Sequence, residues 1–183
     1  FYLFLFAFVL LFYILLKKII PPRSVSFPKT RTVVMLTLFI GFIQFVIRIW
    51  LPVGWSMPIT NFQFPHFVQY IVLFSFGIVA YNNKWLDSIT PQMGRNWFIV
   101  VQVLVLLIFP VIMIIGGVAS ESTDPFMGGI TWQSLAYALW EQLVGFGMIM
   151  GLIGIFKKRF NSQDAFAQKL SASAYGVYVF HPV

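Results

Sequence analysis

The chain has no cysteine. That excludes a thiol nucleophile, a disulfide framework and a cysteine-based zinc site. Charge is also scarce: Asp, Glu, Lys and Arg make up 9% of the 183 residues, against about 25% in soluble domains. Common active-site signatures are missing as well. There is no Gly-x-Ser-x-Gly nucleophile elbow, no His-Glu-x-x-His zinc helix and no P-loop. The run GFGMIM, Gly145–Met150, opens like a dinucleotide-binding glycine motif but lacks the third glycine and sits in an apolar stretch. No soluble domain, repeat array or low-complexity tract is visible.

What is present is apolar. Hydrophobic residues are 60% of the chain, Phe alone contributes 22, and the mean hydropathy is +0.88. These values define an integral membrane protein whose partner is the lipid bilayer. The expected fold class is all-α, a polytopic transmembrane helix bundle of about six spans in a single transmembrane domain, residues 1–183. The expected spans are Phe1–Leu16, Thr32–Leu51, Phe64–Tyr81, Asn96–Val118, Trp132–Phe156 and a sixth beginning near Leu170. The first and last read as truncated, so the chain is expected to be an internal piece of a longer polytopic protein whose remaining helices complete the bundle. Pro110 is expected to kink the fourth span, because it removes one helical hydrogen bond.

The net charge of +7 does not imply nucleic-acid binding, because the basic residues lie between the apolar runs. Lys17, Lys18, Arg23, Lys29 and Arg31 fall in the first loop, Lys84 and Arg95 in the third, and Lys157, Lys158, Arg159 and Lys169 in the fifth. The second and fourth loops hold none. This positive-inside pattern predicts a multi-pass plasma-membrane protein with loops 17–31, 82–95 and 157–169 cytoplasmic.

One residue stands out. Glu141 lies near the middle of the fifth span, where a charge costs at least roughly 2.5–3.5 kcal/mol. A partner, a proton or a water-filled cavity must offset that cost. Glu141 is therefore a proton carrier, a substrate partner, half of an ion pair with Arg48 or His181, or a structural pin between helices. Arg48, toward the outer end of the second span, could bind an oxyanion with its planar fork; the blander expectation is that it snorkels to the outer headgroups. His181 shares a polar stripe with Tyr175 and Tyr178 and is a catalytic, gating or packing histidine. His66, after Pro65 at the start of the third span, is expected at the interface.

Other features have packing explanations. Gly147, Gly151 and Gly154 form a small-residue stripe for close helix contact, on a different face from Glu141. Trp50, Trp55, Trp85, Trp97 and Trp132 lie near span ends and read as interface anchors. Gln44, Gln69, Gln102, Gln133 and Gln142 are expected to hydrogen-bond between helices. No bound cofactor and no metal are expected.

Two stretches carry a resemblance. FPHFVQYIVLFSFGIVAYNNKWL, Phe64–Leu86, contains Pro65, Gln69, Tyr70, Phe74, Gly77, Ala80, Trp85 and Leu86 in a characteristic order. LSASAYGVYVFHPV contains Leu170, Ser171, Tyr175, Gly176, Tyr178 and His181. Together with RIWLPVG after the second span, these stretches resemble the membrane-bound acyltransferase family 3. The resemblance implies transfer of a short acyl group, such as acetyl or succinyl, from a cytoplasmic acyl-CoA. The acceptor would be a hydroxyl of a cell-envelope carbohydrate or similar molecule. The family's catalytic histidine lies in an early span outside this sequence, and neither His66 nor His181 matches it. Glu141, His181, Arg48 and His66 are thus candidate lining residues, the catalytic residues stay unassigned, and the chain alone is expected to be inactive. The rival reading is a transporter or flippase that uses the embedded Glu, Arg and His for coupling; a third is a purely structural membrane subunit.

Overall fold

The computed structural model describes residues 10–11, 13–15, 25–58, 62–118, 122–160, 162 and 164–180, with the backbone alone given over 175–180. The described residues form helices and connecting turns, without strands. The helices are α1 (Thr30–Arg48), α2 (Phe67–Asn82), α3 (Trp85–Ser88), α4 (Pro91–Val103), α5 (Phe109–Ile115), α6 (Asp124–Met127), α7 (Trp132–Arg159) and α8 (Ala165–Phe180). A 3₁₀ turn, Phe64–His66, leads into α2, and a π-helical segment, Leu104–Ile108, joins α4 to α5. Among the described residues, four continuous helices are long and apolar enough to cross a bilayer: Thr30–Arg48, Phe64–Asn82, Pro91–Ile115 and Trp132–Arg159. They correspond to the second to fifth expected spans. Parts of the first and sixth expected spans lie outside the described residues.

The fourth span begins earlier than expected. The polar stretch up to Arg95, with Gln92, reads as loop, yet Thr90 caps the helix by accepting from Met93 N at 3.2 Å, and Pro91 sits in the first turn. A capping hydroxyl and a first-turn proline start a helix despite polar content. The fifth span is capped in the same way by Thr131, which accepts from Ser134 N at 3.1 Å.

The interruption of the fourth span also starts earlier than Pro110 alone predicts. One turn before the proline the backbone widens to the π register, with Phe109 N bonded to Leu104 O. Trp140 Nε1 donates to the same carbonyl at 2.8 Å. The second donor helps hold the widened turn against α7.

The loops alternate between two ends. At one end Val25 N donates to Asn83 Oδ1 at 2.7 Å and Trp85 Nε1 donates to Val25 O at 2.7 Å. Lys157 Nζ joins them there, donating to Asp87 O at 2.6 Å, Ile89 O at 3.3 Å and Leu86 O at 3.4 Å. These contacts tie the segment before α1, the turns around α3 and the last turn of α7 together at one end. At the opposite end Val53 N donates to Met127 O at 2.6 Å and Gly129 N to Arg48 O at 3.1 Å. The strict alternation makes α1 and α7 antiparallel.

α7 is the hub. One face carries Gly147, Gly151 and Gly154 against α4, as the small-residue stripe implies. A Cβ on Gly154 would lie 2.5 Å from Gly94 Cα, and one on Gly151 would lie 3.2 Å from Phe98 Cα. The other face packs on α1, where a Cβ on Gly41 would lie 3.1 Å from Leu139 Cα. The tryptophans divide. Trp50, Trp55 and Trp132 are exposed, but Trp85 and Trp97 are buried. Trp97 fills the space beside Gly147, and Trp85 bonds to Val25 O. They are packing residues, not interface anchors.

Replacing Gly154 with Val should separate α4 from α7 and cost about 1–3 kcal/mol. Unfolding of the protein in bicelles measures it, and an unchanged midpoint would contradict this packing.

Candidate functional site

The polar site grows from the antiparallel arrangement of α1 and α7. Side chains on a helix lean toward its N-terminus. Arg48 is the last residue of α1, so its side chain leans back into the bundle, away from that end of the molecule. Glu141 sits about 13 Å along α7 from Trp132, and its side chain leans toward that helix start. The two therefore approach each other from different depths.

Arg48 Nη2 donates to Glu141 Oε2 at 2.6 Å, and the Arg48 side chain is fully buried, at 0% exposure. The snorkelling expectation for Arg48 is thus corrected: the lean of the helix and the waiting carboxylate turn the guanidinium inward. Gln44, one turn earlier on α1, donates from Nε2 to the same Oε2 at 3.2 Å. Gln142 Nε2 in turn donates to Gln44 Oε1. This amide relay joins the two helices, as expected for Gln44 and Gln142.

His66 completes the cluster. It lies on the 3₁₀ turn Phe64–His66, which begins with Phe64 and Pro65 and aims the ring inward. Its Nδ1 is 3.1 Å from Glu141 Oε1 and 3.2 Å from Arg48 Nη2. His66 stands at the start of its span, as expected, and its partly exposed ring faces the carboxylate. A single ring nitrogen cannot serve both neighbours. As N–H it donates to Glu141; as a lone pair it accepts from Arg48. Because Arg48 Nη2 already donates to Oε2, the first state gives each of the three side chains a partner within the cluster.

The environment makes this unit costly to dismantle. The guanidinium lies over the Tyr137 ring, 5.5 Å from its centroid. Tyr137 stacks on Trp140, which stacks on Phe109 at 4.2 Å between ring centroids. An aromatic shelf thus runs from the π segment to Arg48. Arg48 Nε and Nη1, Ser134 Oγ and Gln142 Oε1 are buried without hydrogen-bond partners. A buried cation with unmet donors depends heavily on the one carboxylate it has.

His181 lies outside the described residues, as do the side chains of Tyr175 and Tyr178. Of the four candidates, Glu141, Arg48 and His66 come together. Sequence reasoning did not single out Tyr137 or Trp140. Their spacings of four and one from Glu141 carry a signal only once the guanidinium is known to lean inward. Among the described residues no three His, Asp or Glu side chains gather as metal ligands. The chain matches no family model, no curated protein and no solved structure.

Arg48→Met should destabilise the protein by about 3–5 kcal/mol, since it strands Glu141 in the bundle. Glu141→Gln should cost a similar amount, and the double variant much less than the sum. A double-mutant cycle of unfolding in bicelles measures the coupling, and strictly additive losses would contradict it.

Proposed function

We propose that this bundle belongs to an integral-membrane O-acyltransferase that moves a short acyl group from acyl-CoA to a hydroxyl of an envelope carbohydrate or similar acceptor. The resemblance of Phe64–Leu86 and the late LSASAYGVYVFHPV stretch to membrane-bound acyltransferase family 3 suggests the reaction class. The contact between His66 Nδ1 and Glu141 Oε1, at 3.1 Å, is the observation that carries the reading to particular residues.

A carboxylate that accepts the Nδ1 proton leaves Nε2 with its lone pair and stabilises the imidazolium that forms during proton transfer. In this reading His66 Nε2 takes the proton of the acceptor hydroxyl. The hydroxyl oxygen attacks the thioester carbonyl carbon, the C–O bond forms and the C–S bond breaks. The coenzyme A thiolate leaves and recovers the proton. Glu141 is a positioning residue, and Arg48 fixes the carboxylate in turn. His66 takes this role from its contact with Glu141; it does not match the histidine of the family pattern. The protein sits in the plasma membrane, with loops 17–31, 82–95 and 157–169 in the cytoplasm; His66 lies at the opposite end of α2, so the thioester of a cytoplasmic acyl-CoA has to extend roughly 24 Å into the bundle to meet it.

The test follows label from short-chain acyl-CoA into envelope carbohydrate, in membranes that carry the natural full-length protein. Wild type should transfer, and His66→Gln should lower kcat by about 10²–10⁴-fold at equal expression. Absence of transfer from acetyl-CoA and succinyl-CoA would overturn the reading in favour of a transporter coupled through Glu141. Transfer that survives His66→Gln undiminished would remove His66 as the base.

A further inference from the structure

A second site lies at the other end of the bundle, where the basic loops meet. A cavity of about 270 Å³ opens between the start of α1, α2, α3 and α7. Phe27, Leu73, Phe76, Leu86, Phe146 and Ile153 form much of its wall. The wall offers almost no hydrogen-bonding group: Trp85, which also lines it, spends its indole N–H on Val25 O. Along α7 the wall runs from Ile153 to Phe146, two turns or about 10 Å. An apolar cavity of this kind suits a hydrocarbon chain and not a polar solute.

Gly77 gives independent support. Glycine inside a helix is unfavourable unless something must come close to the backbone. Gly41, Gly94, Gly147, Gly151 and Gly154 each have a side chain or backbone from a neighbouring helix within about 3.2 Å of a built Cβ. Gly77 is helical too, yet no described residue comes within 4 Å of a Cβ placed there. It lines the cavity, and also a recess shared with Tyr13. Its missing side chain therefore keeps open space that no described protein atom uses.

Charge identifies what the chain is attached to. The cavity shares Leu86 and Ile153 with an adjoining recess that is also lined by Lys157 and Asp87. Lys29 adjoins the lining residue Pro28, and Lys84 adjoins Trp85; both lysines are exposed. Lys157 spends its three donors on the carbonyls of Leu86, Asp87 and Ile89, so the exposed Lys29 and Lys84 are the cations beside the cavity that can face a headgroup. Juxtamembrane lysines of this kind attract anionic headgroups.

We infer that this cavity is a binding site for one acyl chain of an anionic phospholipid, whose headgroup lies beside Lys29 and Lys84. The chain lies along Gly77 between α2 and α7, and the phosphate stays at the level of the basic loops. The site is separate from the Glu141 cluster, and its occupancy does not depend on the proposed reaction.

The test is native mass spectrometry of the protein released from vesicles of phosphatidylglycerol and phosphatidylcholine in equal amounts. Wild type should retain one phospholipid, with phosphatidylglycerol enriched several-fold. Gly77→Leu fills the cavity and should lose the bound lipid while keeping its thermal unfolding midpoint. Ala80→Leu narrows the same wall and serves if the first variant does not fold. Lys29→Gln/Lys84→Gln should retain lipid but lose the preference for phosphatidylglycerol. No retained lipid in wild type, or equal retention in both cavity-filling variants, would overturn the site. Equal retention of the two lipids by wild type would overturn the anionic headgroup.

Discussion

The ion pair between Arg48 and Glu141 is the constraint on which the rest depends. Neither charge could stay within a bilayer-spanning bundle alone, because removing an ion from water costs several kcal/mol. The pair forms only if α1 and α7 run antiparallel and lie close enough for Arg48 to lean inward. Gly41 permits that approach, and Gln44 and Gln142 fix the register beside the carboxylate. The 3₁₀ turn before α2 then delivers His66 to the remaining oxygen. Three separate helix entries into the bundle thus converge on one carboxylate.

The two ends of the molecule are built differently. The Glu141 end is polar inside and shielded by the Phe109–Trp140–Tyr137 stack, which the π segment brings into place. The basic end is apolar inside and charged around its rim. There Lys157 holds α3 against α7 through three main-chain carbonyls. Lys84, in the left-handed conformation at φ 53°, makes the turn that lets α3 fold back. α7 connects the two ends, with Glu141 in its first half and Ile153 and Lys157 toward its C-terminal end.

Much of the fold was legible in the sequence, because lipid forces long apolar helices and leaves basic residues in alternate loops. Glu141 was legible for the same reason: a lone carboxylate in an apolar run needs an explanation. The small-residue face of α7 followed from spacing alone. The early start of α4 was obscured by its polar first turns, which a cap and a proline outweigh. The Arg48–Glu141 pair was one of the alternatives the sequence offered, but snorkelling remained open for Arg48 and an interfacial place for His66, since spacing alone does not say which helices are neighbours. Trp85 and Trp97 misled similarly, because a tryptophan near a span end can turn toward lipid headgroups or toward a glycine on its neighbour. The aromatic shelf depends on a π turn, and the proline that marks its neighbourhood does not give the register.

The tautomer of His66 tests the account most directly. Nitrogen-15 NMR of the histidine-labelled protein in bilayers, with His66 assigned by loss of its signal in His66→Gln, distinguishes the two ring nitrogens. The contact with Glu141 predicts a proton on Nδ1 and a lone pair on Nε2, and a change in that balance in Glu141→Gln. A neutral ring protonated at Nε2, with Nδ1 accepting from Arg48 and no response to Glu141→Gln, would contradict it.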